Sequence, residues 1–165
     1  MAGKVSVDYS PWIIEGDSLF RQYDFSGTSG PGSRAVVQLT CALARPVVAD
    51  IGWAAPTYKH IAIGISPDLG YPDCYLIARF ALQDEPEAGD FFPIQASPAA
   101  GGSTLLMVPD LHTNEKVFRL LKQGRDMAFF LMDTTDTIVK LLLPNDPSFF
   151  EHYEQLEAKI NPNPG

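Results

Sequence analysis

The sequence predicts a mainly β protein, a β-sandwich or a curved antiparallel sheet, with two short helices near the C-terminus. Three observations predict it. First, the chain carries 14 prolines and 13 glycines, and between them lie short runs rich in β-branched and aromatic residues, the pattern of strands joined by turns. Second, two apolar arms flank the turn-forming Asp133-Thr134-Thr135-Asp136. Third, helical periodicity shows only near the C-terminal end. The alternative is an α+β fold in which those helices cover one face of a single sheet.

The strand expectations, in order, are Trp12–Glu15, Ser18–Phe25, Ala35–Ala44, Val47–Gly52, His60–Ile65, Cys74–Leu82, Phe91–Gln95 and Thr104–Val108. Pro46 breaks or bulges the long stretch that contains it, because it cannot donate a ladder hydrogen bond. Three loops separate these runs. Residues 26–33 are small and polar, residues 84–90 are acidic and exposed, and residues 96–103 read as a long turn.

A first helix spans about residues 114–123, capped by Thr113 or Asn114 and stopped by Gly124 at the C′ position. Val117, Leu120 and Leu121 share one face, with Lys116, Arg119 and Lys122 on the other side. A hairpin follows, Asp126 to Met132 paired with Thr137 to Leu143. Both arms are nearly continuous in apolar residues, which predicts cover on both faces. The last helix, near 147–160, opens with Asp146 as N-cap and Pro147 in the first position. Phe149, Tyr153, Leu156 and Ile160 make its apolar stripe. Phe150 falls at the edge of that stripe, and Glu151 and Glu154 project from the opposite side. Residues 161–165 cannot continue the helix and form a frayed tail.

The 165 residues suit one domain, expected to span residues 1–165. The net charge is −8, and most of the excess acid falls after residue 83. A field of this sign repels phosphate backbones, which excludes direct nucleic-acid binding, and it favours a basic protein partner. No apolar run approaches the ~20 residues of a spanning helix. The first eight residues hold no apolar core of a secretory signal, so the chain as given is expected to be cytoplasmic, or periplasmic or secreted if an upstream signal was removed. Cys41 and Cys74 are too few for a disulfide scaffold and read as reduced, buried thiols, with one bridge open to an exported protein.

The motifs that carry chemistry fail on their own terms. Residues 27–34, Gly-Thr-Ser-Gly-Pro-Gly-Ser-Arg, have the glycine frame of a phosphate-binding loop. They lack its lysine and hydroxyl, and a strand follows in place of the helix whose amides would hold phosphate. Cys41, Cys74, His60, His112 and His152 sit in no catalytic signature. Asp110 and His112 are the only close carboxylate–histidine pair in a loop, too few ligands for a metal. The carboxylates sit in turns, where a cleft and perturbed pKa values are rarely supplied. No catalytic residue, metal or cofactor is therefore expected.

The patterning from Leu105 through Leu120, Leu121 and Gly124, the hairpin, and the helix Phe149–Leu156 resembles the end of bacterial invasion-associated-locus-B-type β-sandwich proteins. The resemblance covers about a third of the chain, rests on strand and helix order, and carries over no functional residue. It implies export.

These readings converge on a non-catalytic acidic protein-binding module, an inhibitor, immunity or adaptor protein acting on a basic-surfaced partner. The expected contact residues are Trp53 and Tyr58 in a loop, the acidic loop Asp84, Glu85, Glu87 and Asp90, and Phe150, Glu151 and Glu154 on the last helix. One alternative is an exported envelope-type β-sandwich protein. The other is an enzyme or small-ligand binder with a site assembled from distant residues, among which His60, Asp110 and His112 would be tested first.

Overall fold

The computed structural model describes residues 6–26, 35–44, 58–66, 68–85, 87–133 and 136–160. The expectations for Val47–Gly52, Pro46, Trp53, the glycine-rich loop 27–34 and the tail 161–165 lie outside them. In chain order the elements are β1 (Ser6–Tyr9), β2 (Ile13–Glu15), β3 (Ser18–Ser26), β4 (Ala35–Ala44), β5 (Tyr58–Ser66), β6 (Cys74–Leu82), β7 (Phe91–Ala99), β8 (Ser103–Met107), α1 (Leu111–Lys122), β9 (Met127–Asp133), β10 (Asp136–Leu143) and α2 (Ser148–Ile160).

All the strands belong to one antiparallel sheet in the order β1-β3-β4-β5-β8-β7-β6-β9-β10, with β2 paired to β3 beside β1. It curls into a half-barrel. The curved-sheet expectation therefore holds, and no second sheet forms among the described residues. Alternation along each strand sends one set of side chains inward. Leu19, Tyr23, Leu39, Cys41, Ile63, Phe80, Ile94, Leu106 and Phe129 line the concave side and are buried.

Both helices pack on that side. α1 lies against β5 and β6, and α2 lies against β2, β3 and β4. Their apolar faces meet over an aromatic cluster. Phe149 lies edge-on to Trp12 with ring centres 4.8 Å apart, and Phe118 sits 6.0 Å from Phe149 and 5.9 Å from Tyr153. A helix of 12 or 13 residues is marginal alone, so this packing holds both in place.

Four expectations are corrected. β7 runs on to Ala99, so residues 96–103 are mostly ladder and the turn is only residues 100–102. The reason is a staggered register. β6 pairs with β7 from Phe91 to Ala96, and β8 pairs with it from Gln95 to Ala99. Pro93 and Pro98 each fall where β7 has a neighbour on one side only, the kind of edge position at which a strand tolerates proline. Secondly, α1 starts earlier than expected. Asp110 is its N-cap, accepting from the Thr113 N–H at 2.8 Å. Thirdly, Tyr58 opens β5, paired with Ala44, and belongs to a strand and not to a loop. Fourthly, the hairpin arms are not both covered. β9 is buried from Met127 to Leu131, but Leu142 on β10 is 44 % exposed.

Gly124 ends α1 as expected, with φ +70°. A Cβ there would also meet the Pro147 backbone at 2.9 Å, so glycine is required both by conformation and by the approach of the two helices.

Candidate interaction surfaces

The segment after β10 carries a polar junction. Arg21 points inward from β3 and is 1 % exposed. Its guanidinium donates to the Asp146 carboxylate at 2.6 Å and to the Pro144 carbonyl at 3.2 Å. The Tyr23 hydroxyl donates to the same carbonyl at 3.0 Å, and the Trp12 indole N–H donates to the Asn145 side chain at 3.2 Å. Asp146 also accepts from the Ser148 N–H at 2.8 Å, which caps α2 as its sequence predicts. Burial alone would raise the Asp146 pKa, but hydrogen bonds from Ser148 and Arg21 outweigh it and hold the carboxyl below its ordinary range. The Arg21 Nε is buried without a hydrogen-bond partner, but the other polar contacts of the junction are all made within the fold, so the junction reads as structural.

The acidic loop does meet other chemistry. Glu85, residues 88–92 and one side of α1 border an open cleft of about 460 Å³, with Phe80, Leu82, Asp90, Lys116 and Leu120 among its lining. Lys116 bridges to Asp90 at 3.0 Å, and Arg125 bridges to Asp84. Two of the four acids expected to face a partner are thus already paired within the fold. These pairs are exposed and contribute little to stability, ~0–1 kcal/mol each. Glu85 and Glu87 remain exposed. Gly89 fits the loop against β6, for a Cβ there would lie 2.1 Å from the Phe80 carbonyl oxygen.

Phe150, Glu151 and Glu154 sit elsewhere, on the outer face of α2, and all three are exposed. At ~100° per residue they fall within one ~100° arc. Phe149, Tyr153 and Leu156 are buried on the other side and fix the helix against the sheet. Among the described residues neither Glu151 nor Glu154 forms an ion pair. The structure does not bring these three residues to the cleft. Of the other expected contacts, the side chains of Trp53 and Tyr58 fall outside the description.

The candidates for catalysis stay apart. His60 is exposed on β5 and His112 is exposed at the start of α1. The His152 ring lies 2.7 Å from the Ser148 carbonyl in its own helix. Asp110 is engaged as a helix cap, and the hydrogen bond from the Thr113 hydroxyl draws its pKa down. Cys41 and Cys74 are both free, the first buried and the second half-buried. Burial pushes the Cys41 thiol well above its ordinary pKa. Among the described residues no group of three or more His, Cys, Asp or Glu could hold a metal ion, and no helix is long and apolar enough to cross a membrane.

One surface has no counterpart in the sequence reading. The outward side chains of β6, β7, β8 and β10 include Tyr75, Ile77, Phe91, Met107 and Leu142, all exposed. Strand alternation marks Tyr75 and Ile77 as outward, but the face as a whole assembles only through the strand order.

No family model, no curated protein and no solved structure matches the chain, so the geometry alone carries its functional reading.

Proposed function

We propose that the chain is a non-catalytic protein-binding module, of the inhibitor, immunity or adaptor kind, that engages a basic-surfaced protein through the outer face of α2. One observation carries the reading: Phe150, 42 % exposed, stands beside Glu151 and Glu154, and neither carboxylate is neutralised within the described fold. An exposed ring on a packed helix can serve as an anchor, and the flanking carboxylates suit the charged rim of a contact with a basic surface. The net charge of −8 adds long-range attraction for a basic surface. Glu85 and Glu87 contribute to that field from the acidic loop.

The test is capture from native lysate at low and moderate salt, comparing wild type with Phe150→Ala and with the pair Glu151→Lys and Glu154→Lys. A basic protein recovered by wild type and lost by both variants is the expected result. Recovery of nothing, or recovery unchanged by the variants, overturns the proposal.

A second reading rests on the cleft beside α1. Its volume of about 460 Å³ falls in the range of small-ligand sites, ~300–1,000 Å³. Its floor is apolar and its rim carries Glu85, Asp90, Lys116 and Arg119. A fragment screen read by chemical shifts at Leu82 and Leu120 decides it. Hits that move these residues support the reading, and a screen without them removes it.

A further inference from the structure

The outer face of the sheet divides into two halves of different chemistry. On β3, β4 and β5 the exposed outward residues are Gln22, Gln38 and His60. On β8, β7, β6, β9 and β10 the outward face is aromatic and aliphatic. Tyr75 is 65 % exposed and Phe91 is 56 % exposed. Strand register makes this second half continuous. Arg79 lies opposite Phe91 on one side and Phe130 on the other, and Ile77 lies between Pro93 and Met132. Gln95 links Tyr75 to Met107, and Phe130 lies opposite Lys140.

The charged groups in this field are cations. The Arg79 guanidinium lies 4.7 Å from the centre of the Phe91 ring and 4.8 Å from that of Phe130. Lys140 lies 5.8 Å from the Phe130 ring on the far side. The Arg79 Nε is buried without a hydrogen-bond partner, and no described carboxylate pairs with either cation. No carboxylate occurs among the described outward side chains of these five strands.

We propose that this half of the outer face docks a second protein partner, one whose contact surface is apolar and places a carboxylate over Arg79. Monomeric proteins rarely leave a contiguous apolar patch of this kind exposed, and such patches mark interaction sites. Aromatic residues, methionine and arginine are the types that interfaces concentrate. The two rings hold the Arg79 fork in one orientation and keep water from part of it. A carboxylate is the group that a guanidinium fork fits, and the bond gains strength in a surface that docking dries. A second copy of the chain suits this face poorly. It would approach against a charge of −8 on each molecule, and a two-fold contact would bring Arg79 and Lys140 toward their own counterparts. With α2 facing a basic partner, the chain would present two surfaces of opposite chemistry, which is what an adaptor needs.

The test uses methyl NMR of the full chain with two amphipathic peptides, each with a leucine face, one flanked by glutamates and the other by lysines. The glutamate peptide is expected to shift the methyl signals of Ile77, Met107 and Leu142. Arg79→Gln should weaken its binding about tenfold. Phe91→Gln, a change at an exposed ring, should weaken it while leaving the core signals of Ile63 and Ile94 in place, and it decides the matter if the Arg79 variant does not fold. Glu151→Lys should leave this binding unchanged, which separates the outcome from the fate of the α2 reading. No shift with the glutamate peptide, equal shifts with its lysine twin, or shifts that follow protein concentration alone would each overturn the proposal, the last by showing that a second copy covers the face.

Discussion

The guanidinium of Arg21 and the carboxylate of Asp146 lie 2.6 Å apart across 125 residues of sequence, and they tie β3, near one end of the sheet order, to the segment that follows β10 at the other. The pair sits under Trp12 and Tyr9, whose rings lie 4.9 Å and 4.7 Å from the Arg21 guanidinium carbon.

Replacing Asp146 with Ala leaves a guanidinium that is 1 % exposed without its counter-ion. The expected loss is about 3 kcal/mol, at the lower end for a broken buried pair because Asp146 itself is partly exposed. Arg21→Met removes the charge with its partner's need for it only half met, and should cost less. Urea unfolding of the two variants and of the double variant, compared with wild type, measures the difference.

The same carboxylate gives stability a pH dependence. Its folded pKa lies below its unfolded value, near ~3.9 for Asp, so the native state binds fewer protons than the unfolded chain there. The contribution is complete above that value and disappears as pH falls through the depressed folded pKa. Asp68, lowered by hydrogen bonds from Thr104 and Gly70, and Asp110 act in the same direction. Thermal melts between neutral pH and about pH 3 should show a fall that is shallower in Asp146→Asn than in wild type.

Asn114 is 0 % exposed and stitches α1 to the sheet. Its carbonyl accepts from the Ile61 N–H at 2.7 Å, and its amide donates to the Val108 and Asp110 carbonyls, each at 3.0 Å. Asn114→Leu orphans the buried Ile61 N–H and takes the side-chain donor from the Val108 carbonyl, while the Asp110 carbonyl keeps the backbone N–H of residue 114, with an expected loss of about 2–4 kcal/mol. Asn114→Asp should also destabilise, since a carboxylate would face two carbonyls. Denaturant midpoints decide between this and a dispensable surface residue.

Gly89→Ala places a methyl 2.1 Å from the Phe80 carbonyl oxygen. The acidic loop must move off β6, and the Asp90–Lys116 contact goes with it. The expected signature is a shift of the backbone resonances of residues 84–90 and of the first turns of α1, with β3 and β4 unchanged.

Cys41 and Cys74 should differ in reactivity. The Cys41 thiol is fully buried and held protonated, while Cys74 is half-buried. Iodoacetamide should modify Cys74 in the native protein and Cys41 only after unfolding. Equal modification of both, or of neither before reduction, would contradict the structure.

Much of the fold is legible in the sequence because alternation and caps are local signals. Ala35–Ala44 and Cys74–Leu82 are read to the residue, and the hairpin and Gly124 are read from turn and C-cap chemistry. The errors arise where a partner far away in sequence decides. Residues 96–99 look like turn until β8 pairs with them, and Asn114 looks like a cap until Ile61, Val108 and Asp110 claim its side chain. The candidate sites follow the same division. The α2 ridge is visible from helical spacing, but the pairing of Asp84 with Arg125 and of Asp90 with Lys116 joins separate elements. The outer apolar face needs the strand order, since Tyr75, Phe91 and Met107 are neighbours only through the registers of three strands.

The stagger of β7 has a mechanical consequence. The β8 side and the β6 side of the sheet overlap on this strand only at Gln95 and Ala96, so the one sheet is spliced there over two residues. α1 touches both β5 and β6, which makes it a splint laid across the joint. A pull applied across the strands would part the molecule along that line, and the grip of the helix would set the force at which it yields.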